Sequence, residues 1–126
     1  MTQPTNETTE NLNLNAQLAQ FTGGGDCYKH WLGLVYTDGV KFLAKKADAY
    51  WLLDSIALYQ PKCLKDPMLQ EIQFWKLKVK DNSGVLTCER DKNDVFLTEN
   101  IIYTDFPLEE ITLYLENGIL CLPSER

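Results

Sequence analysis

The chain has one histidine, His30, and four cysteines, Cys27, Cys63, Cys88 and Cys121. A thiolate beside an imidazole makes a nucleophile and its base, so Cys27 and His30 are the first candidates for chemistry. On an extended strand the two side chains point to opposite faces. They would meet only through a bend in the glycine-rich approach, Gly23-Gly24-Gly25. Asp54 is the second candidate partner. It interrupts the apolar run YWLLDSIALY, where a carboxylate beside the core face could orient His30 and set its proton affinity. Plainer readings carry more weight: a buried thiol, a half-exposed strand histidine, and an aspartate on a solvent stripe or bonded to a tyrosine hydroxyl. An enzyme using His30 with Asp54 or Cys27 is therefore the alternative expectation, behind a binding function.

The same residues argue against a metal or cofactor. No two cysteines are close in sequence and there is a single histidine, whereas structural zinc sites pair their ligands at short spacing. The glycine run could cradle a phosphate with its backbone amides, but Asp26 follows it. The phosphate-loop spelling wants a lysine and a hydroxyl residue before a helix. A helix-to-strand connector is the better reading.

Two constellations could bind a macromolecule. Tyr50 and Trp51 are adjacent on a helix and cannot share one face, so one of them reaches the rim of the buried surface. With Asp54 they form the expected contact patch, since exposed Trp and Tyr are enriched where proteins bind partners. Lys76, Lys78 and Lys80 share one face of a strand beside Phe74 and Trp75, and a charged track with stacking rings can hold single-stranded nucleic acid. The plainer reading is a solvated face, or lysines guarding a sheet edge.

Charge supports the plainer reading. The net charge is −6, which disfavours phosphate binding. Residues 27–93 hold eleven bases against eight acids, and residues 94–126 hold seven acids and one base. Glu99, Asp105, Glu109, Glu110 and Glu116 make the last third acidic, a pattern that aids solubility and by analogy could mimic phosphates. A protein partner is expected before nucleic acid, and an edge-strand homodimer is compatible with either. No apolar run approaches a membrane span, and the start MTQPTNETTE is no secretory signal. The expected setting is the cytoplasm, with reduced thiols.

These side chains must be positioned by a small set of elements. The chain is 126 residues and 44% hydrophobic, enough for one packed domain. Residues 1–11 are polar and read as a disordered leader, leaving 12–126 as the domain. Leu14, Leu18 and Phe21 mark a short amphipathic helix. CYKHWLGLVY reads as a strand, Thr37-Asp38-Gly39 as a turn, and VKFLAKK as its extended partner. Asp48 is the expected N-cap of the main helix, about residues 48–60, which Pro61 closes. PKCLKDPM reads as a loop. LQEIQFWKLKVK turns into a strand with Trp75, Leu77 and Val79 inward. VLTCER and VFLTENIIY are further strands. Residues 105–116 fit either a helix or a strand; alternation in ITLYL and the Asn117-Gly118 turn favour a terminal hairpin. Two helices and six or seven mostly antiparallel strands make an α+β fold.

Three segments together resemble a family of small bacterial and phage proteins known only as a domain of unknown function. They are YTDGVKFLAKKADAYWLLDSIALYQ (36–60), FWKLKV (74–79) and TDFPLEEITLYLENGILCLPSE (104–125). The resemblance runs from about Leu12 onward. It implies a compact intracellular domain carried by mobile elements, with an accessory or regulatory role. It supplies no catalytic residue, cofactor or partner.

Overall fold

The computed structural model describes residues 13–126. Its centre is a seven-stranded sheet. The strands are β1 (Cys27–Lys29), β2 (Val35–Thr37), β3 (Ile72–Lys80), β4 (Ser83–Asp91), β5 (Asp94–Ile101), β6 (Glu110–Glu116) and β7 (Ile119–Cys121), in the order β1-β2-β7-β6-β3-β4-β5. Every pairing is antiparallel except β2 with β7. Period-two alternation sets the faces. Gln73, Trp75 and Leu77 are buried, while Lys78 and Lys80 are exposed. Asp81-Asn82 and Asn117-Gly118 both have positive φ at the two turn residues. That geometry matches the twist of a tight hairpin, and it fixes Lys80 opposite Ser83 and Glu116 opposite Ile119.

Helices cover the face that carries Trp75. They are α1 (13–19), α2 (Asp38–Lys46), α3 (Tyr50–Cys63) and α4 (Pro67–Glu71). Leu43, Leu52, Leu53, Ile56 and Leu69 join Trp75, Leu77, Leu86, Leu113 and Leu120 in one core. The opposite face keeps Phe74, Lys76, Thr87 and Tyr114 half-buried. The α+β class and the terminal hairpin agree with the sequence reading. The proposed leader lies outside the described residues.

Several local readings are corrected. VKFLAKK is helical, because Thr37 caps α2 with its hydroxyl on the Val40 amide at 3.3 Å. Lys45 and Lys46 then face the negative end of the helix. CYKHWLGLVY is itself a hairpin, β1 and β2 around a loop in which Gly33 has φ +99°. Asp48 is not an N-cap; it ends α2. Its φ is +51°, and the Ala49 and Asp48 amides return to the Ala44 and Lys45 carbonyls, a Schellman closure with aspartate where glycine is usual. Pro61 does not close α3. It removes one hydrogen bond near the end of the helix, and the last turn continues with the Leu64 amide on the Gln60 carbonyl at 2.9 Å. Burial of Cys63 and anchoring of Gln60 hold that turn in place. Asp66-Pro67 starts α4, the aspartate accepting from the Met68 amide.

Two of the three segments that carry the family resemblance, 36–60 and 104–125, meet in space. The Glu125 carboxylate accepts from the Thr37 hydroxyl at 2.5 Å, the Gly39 amide at 3.2 Å and the Leu122 amide at 3.0 Å. It thus sits at the N-terminus of α2, where free amides and the helix dipole favour a negative charge. Gly39 is required by space: a Cβ there would lie 2.6 Å from Leu122 and 2.7 Å from Glu125. Asp38 completes the junction, accepting from the Asp26 amide at 2.9 Å and the Tyr28 hydroxyl at 2.6 Å. The TDG and LPSE spellings are therefore a structural clasp between α2, β1 and the C-terminal turn.

Candidate functional site

The loop between β1 and β2 delivers His30 to α3. The His30 amide donates to the Leu34 carbonyl at 2.6 Å, and Gly33 returns to the His30 carbonyl at 2.8 Å. This turn buries the imidazole and aims Nε2 at Asp54 Oδ1, 2.6 Å away. The other ring nitrogen, Nδ1, accepts from the Leu32 amide at 3.0 Å. An amide can only donate, so Nδ1 is unprotonated and Nε2 carries the hydrogen given to Asp54. Both nitrogens are engaged, and no lone pair is left for a substrate. His30 and Asp54 act here as a pin between the loop and α3. Cys27 is exposed on β1 and no hydrogen bond joins it to His30.

The pin orders an exposed surface. Trp31 is 77% exposed, yet its indole N–H reaches Asp54 Oδ1 at 3.4 Å. Tyr50 lies one turn before Asp54 on α3 and is 40% exposed, and Leu58 lies one turn after it. Leu32 stands beside Trp31, also exposed. Trp51 is half-buried and packs against the core. Of the expected patch, Tyr50 and Asp54 are accessible, Trp51 is half-buried, and the projecting ring is Trp31. Sequence reading missed Trp31 because it took the segment for continuous strand; the glycine at 33 was the available signal for a turn.

Behind Leu32 the surface dips into a groove of ≈ 300 Å³. Its walls are Leu34, Ala57, Leu69 and Leu115, and Gln60, Gln70 and Gln73 supply the polar atoms. The floor is a closed amide pair. Gln73 Oε1 accepts from the Trp75 indole at 2.8 Å, and Gln73 Nε2 donates to the Leu69 carbonyl at 3.0 Å. An indole can only donate and a carbonyl only accept, which fixes the orientation of Gln73. Gln60 then faces it with donor to acceptor and acceptor to donor, both at 2.9 Å. The polar residue on the inward face of β3 was the trace of this network in the sequence.

The lysine strand is distinct. Lys76, Lys78 and Lys80 lie on the uncovered sheet face with Phe74, whose ring meets Tyr114 edge-on at 5.3 Å. Lys76 is paired with Glu89 at 3.3 Å, and Arg126 stacks 4.4 Å from Tyr114 while binding Glu116 at 3.0 Å. The protein's own acids thus occupy part of this basic face. Cys63 and Cys88 are fully buried. Donation of its S–H to Cys63 holds the Cys88 thiol protonated, well above the usual range. Among the described residues, no cluster of three His, Cys, Asp or Glu side chains could hold a metal, and no helix is long and apolar enough to cross a membrane.

Fold and site together define a small α+β domain with a one-sided sheet, a clasped helix N-terminus and an ordered aromatic edge. The chain belongs to a family of unknown function (DUF6876), whose model matches residues 12–126. No curated protein and no solved structure matches it.

Proposed function

We propose that this chain is an interaction domain that binds a partner protein through the surface formed by Trp31, Leu32, Tyr50, Asp54 and Leu58. The observation that carries the reading is the Trp31 indole, exposed over 77% of its surface and tethered through its N–H to Asp54. Asp54 is in turn fixed by the buried His30. A large ring held in place before the partner arrives loses little entropy on binding, and such rings dominate interface energies. A cytoplasmic setting with reduced thiols is part of the same proposal.

The test is affinity capture of the tagged chain from its host, beside Trp31→Ala. A stoichiometric protein retained by the parent chain and lost from the variant supports the reading. A partner retained equally by both overturns it. Recovered nucleic acid, released steeply by salt, would instead direct attention to Phe74, Lys76, Lys78 and Lys80.

A further inference from the structure

We propose that the groove between the β1–β2 loop, α3 and α4 is a binding site for a small uncharged molecule with an apolar body and one N–H or O–H donor. The first argument is the lining. Leucine and alanine side chains form the walls, glutamine carboxamides provide the polar atoms, and no ionisable side chain lines it. A charged ligand would lose hydration there and meet no counter-charge. The volume of ≈ 300 Å³ falls at the small end of ligand sites, which combine apolar walls with a few placed polar groups.

The second argument is the hydrogen-bond inventory. Gln73 is saturated: its oxygen accepts from Gln60 and Trp75, and its nitrogen donates to Gln60 and Leu69. Gln60 uses both amide hydrogens, on Ile56 and Gln73, and its oxygen accepts one bond. Gln70 donates to the Leu64 carbonyl at 2.9 Å, which fixes its amide orientation. Among the described residues, Gln70 Oε1 accepts no hydrogen bond. The open positions are two acceptors, Gln70 Oε1 and the second lone pair of Gln60 Oε1, and one donor, the second amide hydrogen of the exposed Gln70. A ligand that donates meets either of the two acceptors, whereas one that only accepts is left with the single Gln70 amide hydrogen, which solvent already reaches.

Indole is a suitable probe, because 1-methylindole keeps its shape and removes its donor, while indole-3-acetate adds a charge. Each is titrated into isotope-labelled full-length protein and followed by NMR. Indole is expected to shift the Gln60 and Gln70 side-chain amides and the Leu34, Leu69 and Leu115 methyls. 1-Methylindole is expected to bind at least about fivefold more weakly, and indole-3-acetate more weakly than indole. Gln70 is exposed, so Gln70→Leu keeps the fold; it is expected to reduce the preference for indole over 1-methylindole, the Gln60 acceptor remaining. The site is overturned if indole shifts none of these signals up to its solubility limit. It is also overturned if 1-methylindole binds as well, or if Gln70→Leu leaves the preference intact. Trp31→Ala is expected to leave the indole titration unchanged, which separates this site from the partner surface.

Discussion

Two carboxylates cross the fold to organise another segment, and they do different work. Glu125 gathers the Thr37 hydroxyl with the Gly39 and Leu122 amides at the α2 N-terminus. Leu122, fully buried, closes that junction from the inside. Asp54 gathers the His30 and Trp31 rings, and its own side chain is 46% exposed. The first arrangement ties the C-terminal turn to the start of α2. The second spends one buried ring to present one exposed ring. Both draw on the segment 36–60: its TDG start lies where space is tightest, whereas Tyr50, Asp54 and Leu58 from its later part join Trp31 and Leu32, which lie outside it, at an exposed surface.

The largest change is expected at the clasp. Gly39→Ala would push a methyl group into Leu122 and Glu125, at a cost of about 3 kcal/mol from overpacking and a displaced carboxylate. Glu125→Ala, which removes the cap alone, is expected to cost about 2 kcal/mol. Urea unfolding checks both, and a midpoint unchanged by Gly39→Ala would mean that the junction opens without penalty.

The pin separates charge from hydrogen bonding. Asp54→Ala leaves the buried His30 N–H without its acceptor and is expected to cost about 2 kcal/mol. Asp54→Asn keeps an acceptor oxygen and is expected to cost less than about 1 kcal/mol. Equal losses in the two variants would show that the carboxylate charge, rather than the acceptor, holds the loop.

A stabilising change is expected at the end of α2. Asp48 has φ +51°, and Asp48→Gly relieves that conformation, raising stability by roughly 0.5–1 kcal/mol. Thermal unfolding is the readout; a lower Tm would mean that the Asp48 side chain makes a contribution outweighing the backbone.

Smaller effects follow the Tyr28–Asp38 bond as pH changes. The Tyr28 hydroxyl, with the Asp26 amide, holds the Asp38 carboxyl below its ordinary value of 3.8. The unfolded chain takes up that proton first, so the contribution is present above about pH 4 and is lost as pH falls through the lower folded value. Asp38 in turn pushes Tyr28 from 10.0 up to about 12. On that side the contribution is complete below pH 10.0 and is lost as pH rises toward the folded value. Tyr28→Phe is expected to flatten both limbs of the stability profile, measured by denaturant titration across pH. An unchanged acid limb would assign it to other carboxylates. Smallest of all, Trp31→Ala is expected to move stability by less than about 0.5 kcal/mol, because the ring is exposed. A large loss would place Trp31 in the structural half of the comparison.

Much of the sheet was legible because period-two patterning is local. Trp75, Leu77 and the three lysines declared their faces, and Asn117-Gly118 declared its turn. The helices were harder. VKFLAKK has enough β-branched and aromatic character to pass for a strand, and its helical state depends on a threonine cap and on Glu125 arriving from the far end of the chain. Pro61 looked like a terminus because local sterics favour one there. Buried Cys63 and the Gln60–Gln73 pair outweigh that preference. At the site, Asp54 was visible as a polar break in an apolar run, and His30 as the only imidazole. Their pairing was an alternative reading, ranked behind a solvent-stripe aspartate, because nothing local fixes the β1–β2 loop against α3.

By itself the sequence determined the α+β class, the alternation of β3, the terminal hairpin and the residues able to do chemistry, because each depends on neighbours a few positions apart. Tertiary structure alone decided that His30 has both nitrogens occupied, that Trp31 rather than Trp51 projects, and that TDG and LPSE form one clasp. Each of those outcomes depends on hydrogen bonds and excluded space between segments distant in the chain, where spacing along the sequence carries no information about approach in three dimensions.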